Sequence, residues 1–292
     1  MEIKTRDKTE IQSEIDAAEQ EMQASDFWSD HVRAQAVIAK ISQLKTELET
    51  GDKYGAGPAT VSIYAGAGGD DSEDFVRILF EMYSRFAQKH SFTLTLLDEA
   101  PNEMSGYKRI VFELSGHGVY GLLKNEDGVH RLVRKSPFNS KSKRQTSFVM
   151  VNIDPQIEQT EFTLDESELD ITFTKSSGAG GQNVNKRDTA VRIVHPETGL
   201  SVHVSAERSQ HQNKERALAL IRSKLFQKHV SDEEKRAQGQ SVEKQVKIEW
   251  GNQIRSYIFD PYKMVKDHRL EVDVNQIDKV LDGDLSYFQS VS

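Results

Sequence analysis

Residues 176–187 are Ser-Ser-Gly-Ala-Gly-Gly-Gln-Asn-Val-Asn-Lys-Arg, a glycine-rich stretch with a polar tip and two basic residues at its end. Three glycines in four residues permit positive φ angles and allow a ligand to approach the backbone closely. A nucleotide-binding P-loop would need a glycine directly before the lysine and a hydroxyl residue after it. Because Asn185 and Arg187 occupy those places, ATP or GTP binding is not expected. A purely structural turn accounts poorly for so polar a tip.

The sequence on both sides of this loop predicts a small α+β unit. Alternating apolar residues indicate a strand at 169–173 before the loop and strands at 190–194 and 200–205 after it. A helix follows, in which four apolar residues share one face: Ala217, Leu218, Ile221 and Leu225. Residues 230–246 are polar and charged, and we expect them to form a connector.

Two further regions precede this unit. Residues 5–49 have the apolar spacing of a helical hairpin, and residues 51–58 have the composition of a linker. Alternation begins at residue 59 and is followed by a helix with one apolar face: Phe75, Leu79, Met82 and Phe86. Strand-like runs then occur at 92–97, 108–115 and 118–123. The predicted fold class is α+β multidomain.

The composition indicates a cytosolic globular chain. Of 292 residues, 36% are hydrophobic and 29% are charged, which is typical of folded domains with a large charged surface. The absence of cysteine excludes disulfides and thiolate zinc sites, and the first residues do not resemble a signal peptide. Nine histidines form neither His-x-x-x-His nor His-Glu-x-x-His spacing, so we expect no metal and no other cofactor.

The net charge of −8 is unevenly distributed along the chain. Residues 131–144 contain six basic residues and no acidic one, whereas residues 153–170 contain seven acidic residues and no basic one. Residues 175–187 and 201–230 are again predominantly basic. Because phosphate contact depends on local clusters rather than on total charge, these three basic segments are candidate RNA contacts. Charge blocks that merely solvate loops are the alternative for any one of them.

The glycine-rich loop resembles that of class I peptide chain release factors, with Gly180, Gly181 and Gln182 as the family's tripeptide. Residues 208–214 and 250–257 are similar to the same family, so the resemblance covers essentially the whole chain. It implies that Gln182 places a water beside the peptidyl-tRNA ester and that its backbone N–H faces the oxyanion. The loop holds no histidine or carboxylate, so ribosomal RNA and the tRNA would complete the site. The protein would therefore promote hydrolysis only together with the ribosome.

A second candidate site lies in the first basic segment, where Lys135 precedes Ser136-Pro137-Phe138. Proline would stiffen a loop, the serine offers a hydroxyl to a base edge, and the phenylalanine offers a stacking face. On these residues alone, a basic β-hairpin turn is the better interpretation, and the family resemblance reverses that preference. The tripeptide is similar to that of the release factor 2 branch, which reads the stop codons UAA and UGA. The resemblance implies that Ser136 reads the second base and Thr146 the third.

Two positions depart from the family pattern. The histidine that normally stacks between codon bases is Gln145 here, so we expect weaker or differently compensated stacking. The usual Gly-Gly-Thr-Glu of the helix tip that reads the first uridine is Gly-Gly-Asp-Asp at residues 68–71. Gly69 and Asp71 are therefore the candidates for that contact. The alternative is that Asp70, Asp71 and Ser72 only cap the helix and favour its dipole.

The same resemblance suggests the domain organisation and the partners. Residues 57–155 and 247–292 should form the codon-recognition part, residues 160–240 the hydrolysis domain, and residues 1–50 a shortened N-terminal domain. The implied partners are both ribosomal subunits, the stop codon and peptidyl-tRNA, with a glutamine methyltransferase for Gln182 and a GTPase recycling factor as further candidates. We expect a monomer without membrane contact. The candidate RNA contacts are Arg131, Arg134, Lys135, Arg144, Lys186, Arg187, Arg208 and Lys214.

Three functional hypotheses follow. The leading one is a termination factor that reads UAA and UGA and triggers hydrolysis of the peptidyl-tRNA ester. The second is a codon-independent ribosome-rescue hydrolase, a class whose members are shorter and end in a basic tail, whereas residues 281–292 contain two acidic residues and no basic one. The third is a catalytically silent RNA-binding relative, which is disfavoured because both tripeptides are intact.

Overall fold

The computed structural model describes residues 8–22, 34, 37–38, 40–41, 44–45, 48, 54–104, 106–139, 143–157, 162, 164–175, 189–237 and 253–288. In chain order the strands are β1 (Ala59–Ala65), β2 (Thr93–Pro101), β3 (Tyr107–Ser115), β4 (Gly128–Lys135), β5 (Arg144–Pro155), β6 (Asp170–Thr174), β7 (Ala190–His195), β8 (Leu200–Val204), β9 (Gln253–Ile258), β10 (Met264–Asp267) and β11 (Val272–Val274). The helices are α1 (Lys8–Met22), α2 (Asp70–Lys89), α3 (Val119–Leu123), α4 (Gln210–Ala237) and α5 (Ile277–Leu281). The predicted α+β multidomain class is confirmed.

Eight strands form one large sheet in the order β11-β10-β9-β4-β5-β1-β3-β2. Its neighbouring strands are antiparallel except β4 and β9, which run parallel. Strands from residues 59–155 therefore share one sheet with strands from residues 253–274. The predicted apolar face of α2 packs on this sheet, and its four members are fully buried: Phe75, Leu79, Met82 and Phe86. The spacing that predicted this helix thus also identifies the centre of the main core.

Two sequence-based interpretations of local structure are wrong. The strand predicted at 118–123 is instead helix α3 (Val119–Leu123) with Gly118 as its N-cap, and Val119 and Leu123 are buried one helical turn apart. Gly118 begins this helix with φ 79°, a left-handed conformation that favours glycine. The connector predicted at 230–246 is wrong for residues 230–237, which are the last part of helix α4, and residues 238–246 lie outside the described part of the chain. A polar composition did not distinguish a connector from the solvated end of a long helix.

A buried ionic cluster holds the C-terminal strands against the rest of the large sheet. Arg255 in β9 has no exposed surface, and its two terminal nitrogens donate to the Glu126 carboxylate at 2.6 and 2.7 Å. Nε also donates to Asp267 at 3.2 Å, and the guanidinium lies 3.7 Å from the ring centroid of Phe288. Burial alone would raise the pKa of Glu126, but the adjacent Arg255 holds it below its ordinary value. Removal of one partner would leave a buried unpaired charge and cost about 3–5 kcal/mol.

The three-stranded sheet, in the order β6-β7-β8, forms a second core with α4. Leu97 and Val111 of the large sheet belong to this same hydrophobic cluster. The backbone N–H groups of Ser205 and Ala206 donate to the carbonyl of Leu97 at 3.1 and 3.2 Å. The small sheet is thus packed against the β2–β3 edge of the large one.

Charged groups add to this contact between the two sheets. The Asp98 carboxylate has no exposed surface and accepts hydrogen bonds from the Ser205 hydroxyl at 2.9 Å and from Arg109 Nε at 2.8 Å. His203 Nδ1 lies 2.7 Å from the same carboxylate. On α4, the buried Lys224 ammonium donates to Asp154 of β5 at 2.7 Å. The boundary therefore combines a small apolar contact with ion pairs that are shielded from water.

In the N-terminal part, Ile11 and Ile15 of α1 pack against Leu44 and the half-buried Leu48. Residues described between 34 and 48 are helical, as the predicted hairpin requires. Among the helices that the structure describes, none is long and apolar enough to cross a membrane.

His130 of β4 makes the folding stability depend on pH. Its Nε2–H donates to the Glu126 carbonyl at 2.9 Å, and burial lowers its pKa from 6.5 to about 4. The folded protein keeps this ring neutral while the unfolded chain protonates it, so the free energy of unfolding falls as the pH drops from 6.5 towards 4. Burial raises the pKa of Asp127 to about 6, which contributes with the opposite sign in the same range.

We therefore expect His130→Gln, which retains a donor, to lose less stability than the wild type between pH 7 and pH 4.5. The difference should be about 2–3 kcal/mol, because over roughly two pH units the unfolded chain protonates His130 and the folded protein does not. Urea denaturation at both pH values measures it, and subtraction of the two proteins removes the Asp127 contribution. Identical pH dependence in both proteins would contradict this role of His130.

Candidate functional site

The Ser-Pro-Phe tripeptide lies at the tip of the β4–β5 hairpin. The two strands pair up to Lys135 opposite Arg144, so residues 136–143 connect paired strand ends. The Ser136 N–H donates to the Lys143 carbonyl at 3.1 Å, and the Ser136 hydroxyl oxygen accepts from the Phe138 N–H at 3.2 Å. Ser136 is buried, Pro137 is exposed and Phe138 is half-buried. The loop is thus held in one backbone conformation from its first three residues.

Gln145 and Thr146 begin strand β5 on the other side of this hairpin. Gln145 is exposed and pairs with Arg134, whereas Thr146 is half-buried and pairs with Val133. Because successive side chains of a strand point to opposite faces, these two residues project to opposite sides of the hairpin. They can therefore contact different bases, but not one base from the same side.

The candidate first-base tip, residues 66–69, is attached to the same hairpin. The Gly66 N–H donates to the Phe148 carbonyl, and the Phe148 N–H donates to the Ala67 carbonyl, each at 2.8 Å. Gly68 has φ 140°, and a Cβ atom there would lie 2.6 Å from the Ser147 hydroxyl oxygen. A glycine is required at this position because the tip lies directly on β5, next to Thr146.

No side chain caps helix α2. Its N-cap is Gly69, with φ 58°, and the Gly69 carbonyl accepts the backbone N–H groups of Ser72 and Glu73 at 2.9 and 3.1 Å. The Ser72 hydroxyl lies 2.7 Å from this same carbonyl. The capping part of the alternative is therefore wrong, whereas its other part, that carboxylates in the first turn favour the helix dipole, agrees with the structure.

Arg134 joins the hairpin to the first turn of α2. Its Nη2 donates to Asp71 Oδ1 at 2.8 Å, and its Nη1 lies 2.7 Å from Asp74 Oδ2. The Asp71 carboxylate is buried and faces this arginine. Both Asp71 and Arg134, which the sequence offered as separate contacts to RNA, are thus bonded to each other.

The other predicted site residues are scattered. Lys135 is exposed and lies 3.2 Å from Asp260, Arg131 is half-buried in β4, and Arg144 and Arg208 are exposed. Lys214 donates to Glu166 at 2.8 Å. Five predicted site residues lie outside the described part of the chain: Gly180, Gly181, Gln182, Lys186 and Arg187.

The structure describes the residues on both sides of the Gly-Gly-Gln segment, and they show how the segment is attached. Strands β6 and β7 are antiparallel, and Thr174 pairs with Ala190, so the segment between them joins neighbouring positions of one sheet. Asn213 is fully buried, and its amide nitrogen donates to the carbonyls of Thr189 and Glu207 at 2.8 and 2.9 Å. Its oxygen accepts the Glu207 N–H at 2.9 Å. Sequence reasoning quoted the motif that contains Asn213 but missed this residue, because its partners are set by the fold.

Comparisons with known proteins agree with this arrangement. A family model described as the PCRF domain matches residues 4–151, and one described as the RF-1 domain matches residues 157–269. Peptide chain release factor 2 from Thermosipho melanesiensis is 43% identical over 251 residues, which covers 85% of this chain and 68% of the relative. The protein of the same name from Thermotoga maritima is 41% identical over 283 residues, which covers 96% of this chain and 74% of the relative.

A solved structure gives the same result for the fold. RF2 of Thermus thermophilus matches with a TM-score of 0.73 and 34% sequence identity, over 95% of this chain and 79% of that chain. These findings define the class as that of the stop-codon-dependent translation termination factors, proteins that act on the ribosome. Within it, the chain belongs to the peptide chain release factor family and is of the release factor 2 type.

Asn213 provides a test of how the Gly-Gly-Gln segment is held. In Asn213→Ala, three buried hydrogen bonds are lost and their backbone partners remain unpaired, so we expect the free energy of unfolding to fall by about 2–4 kcal/mol. Gln212→Ala, at the exposed neighbouring position, should change it by less than about 0.5 kcal/mol. Urea denaturation measures both, and equal stability of the two variants would show that the Asn213 amide is dispensable.

Proposed function

We propose that the chain reads UAA and UGA with Ser136, Phe138 and Thr146, that the tip at Gly69 contacts the first base, and that Gln182 promotes hydrolysis of the peptidyl-tRNA ester. The observation that carries the codon-reading part is the direct attachment of two loops to each other. Residues 66–69 and the β4–β5 hairpin share backbone hydrogen bonds at Phe148. A surface that discriminates bases must keep its donors and acceptors at fixed separations, which this arrangement provides.

The chemistry of Ser136 suits a choice of two purines at the second position. Adenine presents an amino donor where guanine presents a carbonyl acceptor. A hydroxyl can both donate and accept, so one serine serves UAA and UGA alike. The Phe138 N–H already uses one lone pair of this hydroxyl, which leaves its hydrogen and a second lone pair for the base.

The hydrolysis part rests on the family's tripeptide and on how its segment is attached. Both ends of the segment belong to one sheet, and the Asn213 amide holds Thr189 at its C-terminal end. A loop held at both ends can present a backbone N–H to a developing oxyanion at little reorganisation cost. Lys186, Arg187 and Arg208 would contact RNA around this loop.

Further proposals rest on the family resemblance alone. They are N5-methylation of Gln182 by a glutamine methyltransferase, recycling by a GTPase factor, and action in the cytoplasm as a monomer. The domain boundaries remain proposals as well, with codon recognition in residues 57–155 and 247–292 and hydrolysis in residues 160–240. The codon-independent rescue hydrolase gains no support from the relatives that match.

Codon specificity is measured by peptide release from purified ribosomes that carry UAA, UGA, UAG or a sense codon in the A site. We expect fast release at UAA and UGA, and release at least about 100-fold slower at UAG, because the wrong base leaves polar groups unpaired. Equal rates at UAG and UGA would refute the assigned specificity. Release at the sense codon would instead support the rescue hydrolase.

The hydrolysis assignment is tested separately with Gln182→Gly and Gly181→Ala. The first removes the side chain that places water, and the second restricts the backbone that presents the N–H group. Single-turnover release at saturating protein should fall by about 100-fold or more, as expected when oxyanion stabilisation is lost. Ribosome binding, measured by competition with the wild type, should be unchanged. Normal release by both variants would exclude this tripeptide from the chemistry.

A further inference from the structure

Arg134 is the penultimate residue of β4, two positions before Ser136, and its guanidinium is held on three sides. Nε and Nη2 donate to Asp71 Oδ1 at 3.1 and 2.8 Å, and Nη1 lies 2.7 Å from Asp74 Oδ2. Only 15% of the arginine side chain is exposed, against 7% and 9% for the two aspartates. The guanidinium also lies 5.8 Å from the ring centroid of Phe138, within the range of a cation–π contact.

These contacts bridge two elements that are far apart in sequence but adjacent at the proposed reading surface. Asp71 lies in the first turn of α2, directly after the tip at residues 68–69, and Asp74 begins the second turn. Arg134 and Phe138 belong to the hairpin that carries Ser136. Backbone hydrogen bonds at Phe148 join the tip to the β5 side of this hairpin, whereas Arg134 joins it to the β4 side.

The surroundings of Arg134 do not suit a contact with phosphate. Its charge faces two carboxylates, and three of its nitrogens are already within hydrogen-bonding distance of them. A phosphate would compete with Asp71 and Asp74 and would meet their negative charge at short range. Charge-assisted bonds of this kind are strong and directional, so they fix geometry as well as charge.

We propose that Arg134, with Asp71 and Asp74, is a positioning residue for codon reading: it sets the separation between the helix tip and the Ser-Pro-Phe loop. This inference rests on the proposed codon-reading function. Base discrimination is lost when donors shift by a fraction of an ångström, and a half-buried ion pair between the two elements resists such a shift. The role of Asp71 is thus to hold Arg134 rather than to contact the first base.

A double-mutant cycle tests the proposal in a release assay with Arg134→Gln, Asp71→Asn and the combination. If the two residues act through each other, Arg134→Gln should raise the factor concentration for half-maximal release by about tenfold at UAA and UGA. Asp71→Asn should raise it as well, and the double variant should raise it no further than Arg134→Gln alone. The rate at saturating factor should remain within about twofold, because the hydrolysis loop is untouched. Discrimination against UGG should fall in all three.

The matched control is Arg77→Gln. Arg77 donates to the same Asp74, at 2.7 and 3.0 Å, and to Glu81, and within the described residues these hydrogen-bond partners lie on α2 itself. The Arg77→Gln substitution removes a comparable ion pair but leaves the link between α2 and the hairpin intact. The factor concentration for half-maximal release and the codon discrimination should therefore stay at wild-type values. Arg134→Lys should recover only part of the loss, because an ammonium cannot reach two carboxylates with the fork geometry of a guanidinium.

Three outcomes would overturn the proposal. If Arg134→Gln impairs release while Asp71→Asn does not, and the salt dependence of binding weakens by about one ion, Arg134 contacts phosphate. If Asp71→Asn impairs release and Arg134→Gln does not, Asp71 contacts the codon directly. A fall in the saturating rate with unchanged discrimination would indicate a purely structural role and would overturn it too.

Two further experiments distinguish a failure of the positioning role from a failure of the proposed codon-reading function. Ser136→Ala and Phe138→Ala should change codon discrimination; if they do not, the proposed reading surface itself is wrong. Hydrogen exchange of residues 136–148 in the free protein needs no ribosome and should accelerate in Arg134→Gln but not in Arg77→Gln. Unchanged exchange in both, together with an effect of Ser136→Ala on discrimination, would refute the positioning role alone.

Discussion

The Arg255 guanidinium is the contact on which the large sheet depends. It bonds to Glu126, which precedes β4, and to Asp267 of β10, and it lies against the ring of Phe288 near the described C-terminal end. It thereby brings strands 253–274 beside β4, where β9 is the parallel neighbour. A buried charge without its partner costs several kcal/mol, so moving the C-terminal segment away from β4 would be strongly unfavourable. Strand β4 lies between β9 and β5 and ends directly before Ser136, so its position fixes where Ser136 and Phe138 lie.

The two functional ends are attached by different kinds of contact. The proposed reading surface is continuous with the large sheet through backbone hydrogen bonds at Phe148 and Lys143. The small sheet instead meets the large one through Leu97, Val111 and ion pairs such as Lys224 with Asp154. Two backbone hydrogen bonds, from Ser205 and Ala206 to the Leu97 carbonyl, also join the small sheet to the large one. The contact between the sheets therefore consists mainly of side chains, whereas the hairpin is an extension of the large sheet itself.

Short-range patterns in the sequence predicted individual helices, their buried faces and the family. The spacing of Phe75, Leu79, Met82 and Phe86 identified both helix α2 and its buried face, and the tripeptides led to the family. The strand expected at 118–123 is instead a helix, and its two buried residues lie one helical turn apart. The roles of Arg134 and Asn213 were not predictable, since their partners are 63 and 24 residues away and only the fold brings them together.

The acidic net charge of −8 is compatible with an RNA-binding function because basic residues are concentrated at the hairpin and on the small domain. Within the hairpin, however, Arg134 is neutralised inside the protein, while Lys135 and Arg144 face solvent. The most direct test of the account is a cryo-electron microscopy structure of the protein on a ribosome with UGA in the A site. It should show Ser136 within hydrogen-bonding distance of the second base, with Arg134 still bonded to Asp71 and Asp74. A hairpin turned away from the codon, or Arg134 on a phosphate, would contradict the account.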